Sequence, residues 1–210
     1  MSRPKRLALV LALNLFLVAG LVGVGIGAHS LGVLAAGGDY LADAAAIGLS
    51  LFAIWLSRRP PTPRRPGGYR NATDVAALVN GGWLLVLSAV IIATAIRRLL
   101  AGAPEIVALP VLIASAVAAV VMLAGVLILG GGVDREDGGE DLNMKAIMLD
   151  TAADAAAAGG VAISGAVILA AGGWFWLDPV VALVIAAVVG YHAVNLLRKV
   201  LTALRPQPDP

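Results

Sequence analysis

Asp39-Tyr40-Leu41-Ala42-Asp43 and Asp150-Thr151-Ala152-Ala153-Asp154 decide how this chain is read. Each places two aspartates at i and i+4 within an otherwise apolar run, so on a helix both carboxylates share a face, one turn apart. A charged side chain at the centre of a bilayer costs about 2.5–3.5 kcal/mol on insertion scales. Two copies of one expensive spacing mark a functional site, and carboxylate oxygens are ligands for divalent cations.

The surrounding composition requires a membrane. Of 210 residues, 60% are hydrophobic and 13% charged, and the mean hydropathy is +0.93. An ordinary soluble domain and a disordered chain are both excluded. Cysteine is absent, which removes disulfides, thiolate metal sites and thiol catalysis. The basic residues flank apolar runs without interleaved aromatics, so nucleic acid is not an expected partner. Arg3, Lys5 and Arg6 before an apolar stretch resemble a signal peptide, but the run from Leu7 to Ala28 exceeds a signal h-region and reads as a first span.

About 20 apolar residues cross a bilayer as helix. The expected spans are 7–29, 36–57, 73–96, 107–131, 143–171 and 178–200, giving an all-α six-transmembrane-helix bundle. Residues 1–205 are expected to form one transmembrane domain, with 206–210 a short tail. The Arg- and Pro-rich segment from Ser57 to Tyr69, the Gly and Pro between Ala101 and Pro104, and Gly130-Gly131-Gly132 break the helices. Asp178-Pro179 reads as the start of the last helix, with Asp178 as its N-cap; Trp174 and Trp176 suit a membrane interface.

With N- and C-termini cytoplasmic, thirteen of the fifteen Lys and Arg residues fall inside and only Arg97 and Arg98 outside, as the positive-inside rule demands. The second and fifth helices then run in opposite directions. At about 1.5 Å per residue, Asp43 lies roughly 22 Å from Arg58 and Asp154 roughly 20 Å from Asp141, so the two pairs are at similar depth. Four converging carboxylates repel one another and are expected to hold protons when empty. A divalent cation would displace those protons, because metal ligands must be deprotonated; one site then binds both cargo and coupling ion. Gly23-xxx-Gly27 and the stretch Gly160 to Gly165 offer small-residue surfaces for helix packing.

Other intramembrane polar groups have plainer roles. His29 and His192 are expected near the outer mouth and the inner end of the sixth helix, as interfacial residues or as proton or cation relays. Asn14, Asn80 and Asn143 read as interhelical hydrogen-bonding groups, with Asn80 and Asn143 close enough to touch a cation path. Asp74 suits the positive end of the third helix dipole. The acidic run Asp134, Glu136, Asp137, Glu140, Asp141 reads as a solvated loop.

Taken with Ser30-Leu31-Gly32-Val33-Leu34-Ala35, Tyr69, Ala76-Ala77-Leu78-Val79-Asn80-Gly81, Leu142-Asn143 and Leu177-Asp178-Pro179, the two aspartate pairs make the chain resemble the cation diffusion facilitator (cation efflux) family over nearly its whole length. The resemblance implies six helices and a divalent-cation/proton antiporter, a secondary active transporter and not an enzyme, usually a homodimer in the cell (plasma) membrane. It implies Asp39, Asp43, Asp150 and Asp154 as the four ligands of one transported cation, with no resident cofactor. Many zinc-exporting members carry His at the first ligand of a pair, where this chain has Asp39 and Asp150; Ala36 replaces a frequent Asp; and no His-rich loop is present. The family's cytoplasmic metal-sensing domain is not in this sequence, which is expected to be a variant lacking it. All-carboxylate ligation favours Mn²⁺ or Fe²⁺ by hardness, while the family's commonest cargo is Zn²⁺, which also accepts carboxylate.

Two other readings compete. Asp134-Arg-Glu-Asp137-Gly138 matches the start of the CDP-alcohol phosphotransferase motif, which then fails at Asp141, Leu142, Ala155 and Gly159 and leaves Asp39 and Asp43 unexplained. A non-transporting metal-binding partner subunit is the third possibility.

Overall fold

The computed structural model describes residues 3–57, 72–133 and 142–203; side chains toward several helix ends, 142–150 among them, are outside that description. The described chain is all helix: α1 (Arg3–Gly27), α2 (Leu31–Ser57), α3 (Ala72–Ala101), α4 (Ala108–Val133), α5 (Leu142–Ala171) and α6 (Leu177–Ala203). Among the described residues, four helical stretches are long and apolar enough to cross a bilayer: Asp74–Ala101, Ala108–Leu127, Thr151–Ala171 and Leu177–Thr202. The outward faces are apolar, with Phe16 75%, Val120 67% and Ile163 68% exposed, the inverse of a soluble protein and the signature of a lipid-facing surface.

The helices pack as a ring and a pair. α1 contacts α2 and α4, α4 packs extensively on α5, and α5 meets α2 in the slightest contact of the ring. α3 and α6 form a second extensive pair that lies along α2, with α6 also touching α5. Small residues set these distances, as they must where lipid offers no hydrophobic drive between helices. A Cβ on Gly165 would stand 3.0 Å from the main-chain nitrogen of Leu112, so the α4 and α5 backbones approach closely there. On α1 the packing glycine is Gly25, against Leu34; Gly23 and Gly27 face open space. The expected Gly23-xxx-Gly27 surface is therefore wrong by one helix face. Alternate glycines are 200° apart on a helix, so Gly25 points nearly opposite to both.

One buried cluster fixes the end of the bundle away from the chain termini. α1 finishes with His29 in the left-handed region (φ 57), while Ser30 N–H donates to Gly25 O at 3.1 Å and His29 N–H to Ile26 O at 3.3 Å. This is a Schellman closure. The next residue opens α2 at once, five positions before the expected start at 36. A helix start leaves its first four N–H groups without helical partners; here Ser30 N–H is taken by Gly25 O, and the next three also have acceptors. Leu31 N–H donates to Asp178 Oδ2 at 2.7 Å and Gly32 N–H to Asp178 Oδ1 at 3.1 Å. Val33 N–H donates to Ser30 Oγ at 3.2 Å, and the first bond of the helical ladder runs from Leu34 N–H to Ser30 O at 3.3 Å. Ser30 Oγ–H itself donates to Asp178 Oδ1 at 2.5 Å.

Asp178 therefore caps α2, and the reading of it as the N-cap of its own helix is corrected. α6 begins one residue earlier, at Leu177, which puts Asp178 in the first turn with its side chain turned across the bundle. Its charge is 1% exposed and is matched by the positive end of α2 and by Arg98, whose Nη1 lies 3.7 Å from Asp178 Oδ2. The same Arg98 Nη1 donates to His29 O at 2.8 Å. One carboxylate thus joins the starts of α2 and α6 to the end of α3.

Candidate cation site

Asp39 and Asp43 leave α2 on one face, as their spacing requires. Together with Asp154 of α5 they line a cavity of about 960 Å³. Asp154 is buried at 7% exposure; Asp39 and Asp43 are half-buried. Leu84 of α3 and Val184, Val188 and Ile185 of α6 supply apolar walls, and His192 and Lys199 lie further along α6. The fifteen residue steps from Val184 to Lys199 correspond to roughly 22 Å of helix, so the cavity runs from the carboxylates toward the end that carries the chain termini. At the opposite end the Asp178 cluster ties α2, α3 and α6 together.

Asp150 lies one helical turn before Asp154 in α5, and its side chain is outside the described residues. Among the described residues, no group of three or more His, Cys, Asp or Glu side chains is close enough to hold a metal ion. The three described aspartates share a cavity without being gathered into a coordination shell.

Tyr40 was not singled out in the sequence. It sits between Asp39 and Asp43 and is fully buried. Its hydroxyl donates to the main-chain carbonyl of Asp154 at 2.9 Å, linking α2 to α5 at the depth of the carboxylates. A tyrosine inside an acidic apolar helix was the available signal, since a buried phenol needs a hydrogen-bond partner. Lys199 was read only as a topology marker, yet it lines the same cavity.

The remaining candidates separate cleanly. His29 is exposed and serves as the left-handed residue ending α1, a conformation in which His is several-fold enriched among non-glycine residues. Asn80 is half-buried on α3, and the cavity wall there is Leu84. Asp74 stands in the first turn of α3, where the helix dipole favours a carboxylate. The side chains of Asn14 and Asn143 and the run from Asp134 to Asp141 lie outside the described residues.

Residues 7–205 match the family model described as the cation efflux transmembrane domain. The zinc transporter ZitB of Yersinia pseudotuberculosis is 31% identical over 199 residues, covering 94% of this chain and 62% of that protein. ZitB of Escherichia coli K12 is 34% identical over 186 residues, covering 87% and 56%. A cadmium, cobalt and zinc/H(+)-K(+) antiporter of Bacillus velezensis is 30% identical over 168 residues, covering 78% and 52%. The chain thus spans between about half and three-fifths of the length of these relatives.

Proposed function

Because this chain belongs to the cation efflux family, we propose that it is a secondary active transporter, integral to the plasma membrane, which exports a divalent transition-metal cation in exchange for protons. The observation that carries the reading is the shared cavity of Asp39, Asp43 and Asp154; Asp150, one turn before Asp154, is proposed as the fourth ligand. Residues 1–205 act as one transmembrane unit with both termini cytoplasmic, so the cavity faces the cytoplasm and the Asp178 cluster closes the outer side.

A cation entering past Lys199 and His192 meets carboxylates that carry protons. Binding requires their ionisation, so each metal taken up expels protons into the cytoplasmic cavity. The cation also removes the mutual repulsion of the carboxylates and draws α2 and α5 together around itself. Reprotonation from the outer side reverses both effects and releases the metal. No additional catalytic group is needed, because the ligands are also the proton carriers. A phosphotransferase reading would leave Asp39 and Asp43, which line the cavity, without a role.

Zn²⁺ is the first cargo to test, since the relatives are named for zinc; Mn²⁺ and Fe²⁺ follow because the ligand set is all carboxylate. A homodimer is the assembly implied by the family, and light scattering on the purified chain tests it. For the transport reading, purified protein is reconstituted into liposomes holding a metal-sensitive dye, with an imposed proton gradient. Wild type should move Zn²⁺ or one of the other two ions, and Asp39→Ala and Asp154→Ala should each abolish movement. Unaltered flux in both variants would end the proposal.

A further inference from the structure

We infer that Tyr40 is a positioning residue for the cation site: its hydroxyl clasps α5 to α2 and so sets the spacing between the aspartates the two helices contribute. This inference rests on the proposed role of Asp39, Asp43 and Asp154 as ligands. It begins from the packing. α5 is held firmly by α4 but meets α2 in the slightest contact of the ring, and that is the side on which the two halves of the site face each other. Because the two helices approach each other least here, a specific bond matters more than it would between α4 and α5.

Tyr40 is placed to make that bond. Asp39 and Asp43 share a face toward the cavity, and the residue after Asp39 is rotated by about 100° around the helix. Tyr40 therefore turns away from the cation path while staying at its depth, and it is completely shielded from solvent. Its hydroxyl reaches Asp154 at the main-chain carbonyl, 2.9 Å away. Tyr40 makes no use of the Asp154 carboxylate in this bond, and Asp154 lines the cavity. A carbonyl oxygen has two lone pairs, so this one can serve its own helix and also accept from Tyr40. The bond thus fixes the backbone from which a ligand springs without occupying the ligand.

Such a clasp has a consequence for selectivity. Discrimination between cations that differ in size depends on how rigidly the ligand spacing is held. With the clasp intact, the approach of α5 to α2 is limited to a narrow range suited to one ion. Without it, α5 settles at the distance each ion prefers, and affinity for the best-fitting ion falls while the others lose less.

The test is Tyr40→Phe, which keeps the ring and its packing and deletes only the hydroxyl, alongside Tyr40→Leu, which also deletes the ring. Binding of Zn²⁺ and of the larger Cd²⁺ is measured calorimetrically in detergent, with Asp154→Ala as reference and thermal unfolding as a check on folding. Tyr40→Phe should weaken Zn²⁺ binding by about threefold to tenfold, the range for a lost interhelical hydrogen bond in a membrane. It should weaken Cd²⁺ binding by less than about twofold, narrowing the preference. Tyr40→Leu should shift Zn²⁺ binding at least as far as Tyr40→Phe does. Equal changes for both ions, no change in Tyr40→Phe, or a Tyr40→Phe protein that does not fold would each overturn the clasp. If Asp154→Ala itself binds both metals like wild type, the ligand assignment fails instead, and the two failures are distinguished.

Discussion

Replacing Asp178 with Ala should destabilise the bundle more than any other single change at the end away from the chain termini, and the structure sets the size of the loss. The carboxylate accepts from Ser30 Oγ–H, Leu31 N–H and Gly32 N–H. With it gone, Ser30 can turn its hydroxyl elsewhere, but the two amides are fixed by the helix and buried. Each buried donor left without a partner costs about 1–3 kcal/mol. Arg98 loses its counter-charge as well, although it is partly exposed and so contributes less. The total is about 3–5 kcal/mol, the scale for breaking one side of a buried charged arrangement. Asp178→Asn retains one carbonyl oxygen but presents an amide donor to a second donor, so about half of that loss is expected. Reversible unfolding in mixed detergent micelles, followed by tryptophan fluorescence, gives the numbers. Ser30→Ala alone should cost about 0.5–2 kcal/mol as a lost cap. The double variant should fall short of the sum by at least about 0.5 kcal/mol, because the residues share one network. An Asp178→Ala protein within about 0.5 kcal/mol of wild type, or full additivity with Ser30→Ala, would refute the view that this carboxylate caps α2.

Three further outcomes follow from the same structure. Gly165→Ala should cost about 1–3 kcal/mol by overpacking, since its Cβ would press on the α4 backbone, whereas Gly23→Ala should be neutral because nothing lies within 4 Å; unfolding of the two variants side by side checks the contrast. Asp74→Ala should retain metal flux and lose only about 0.3–1 kcal/mol of stability, the worth of a carboxylate at a helix start; loss of flux in liposomes would place it in the cation path. The chain has no cysteine, so single cysteines report sidedness directly: Lys199→Cys should react with an impermeant thiol reagent only from the cytoplasmic face, and Glu105→Cys, in the exposed segment between α3 and α4, only from outside.

Much of the architecture was legible in the sequence because membrane helices announce themselves by length and apolarity. The six expected helices correspond to α1–α6, and the boundaries that moved did so for identifiable reasons. α2 starts early because Asp178, almost 150 residues away in the chain, satisfies amides that local residues could not. α3 runs on past 96 to Ala101 and carries Arg98 in its last turn, where a cation suits the dipole and where it reaches Asp178. Local reading assigned Asp178 to its own helix since Asp-Pro is a common helix opening, and no periodicity reveals that a side chain turns to a neighbour. Gly23 and Gly27 were favoured over Gly25 by their spacing, yet which face of α1 meets α2 is decided by tertiary packing. The contact between α2 and α5 was expected from the matched depths of the aspartate pairs on two antiparallel helices. Tyr40 went unnoticed because its partner is a backbone carbonyl, which sequence does not mark.

The central claim is that the aspartates of α2 and α5 hold metal and protons in competition. Calorimetric titration of the purified protein with Zn²⁺, repeated in two buffers of different ionisation enthalpy, measures protons released per metal bound. The account predicts saturable binding with at least one proton released per ion, and loss of both binding and release in Asp39→Asn and in Asp154→Asn. Binding with no proton release, or release that persists in both variants, would contradict it.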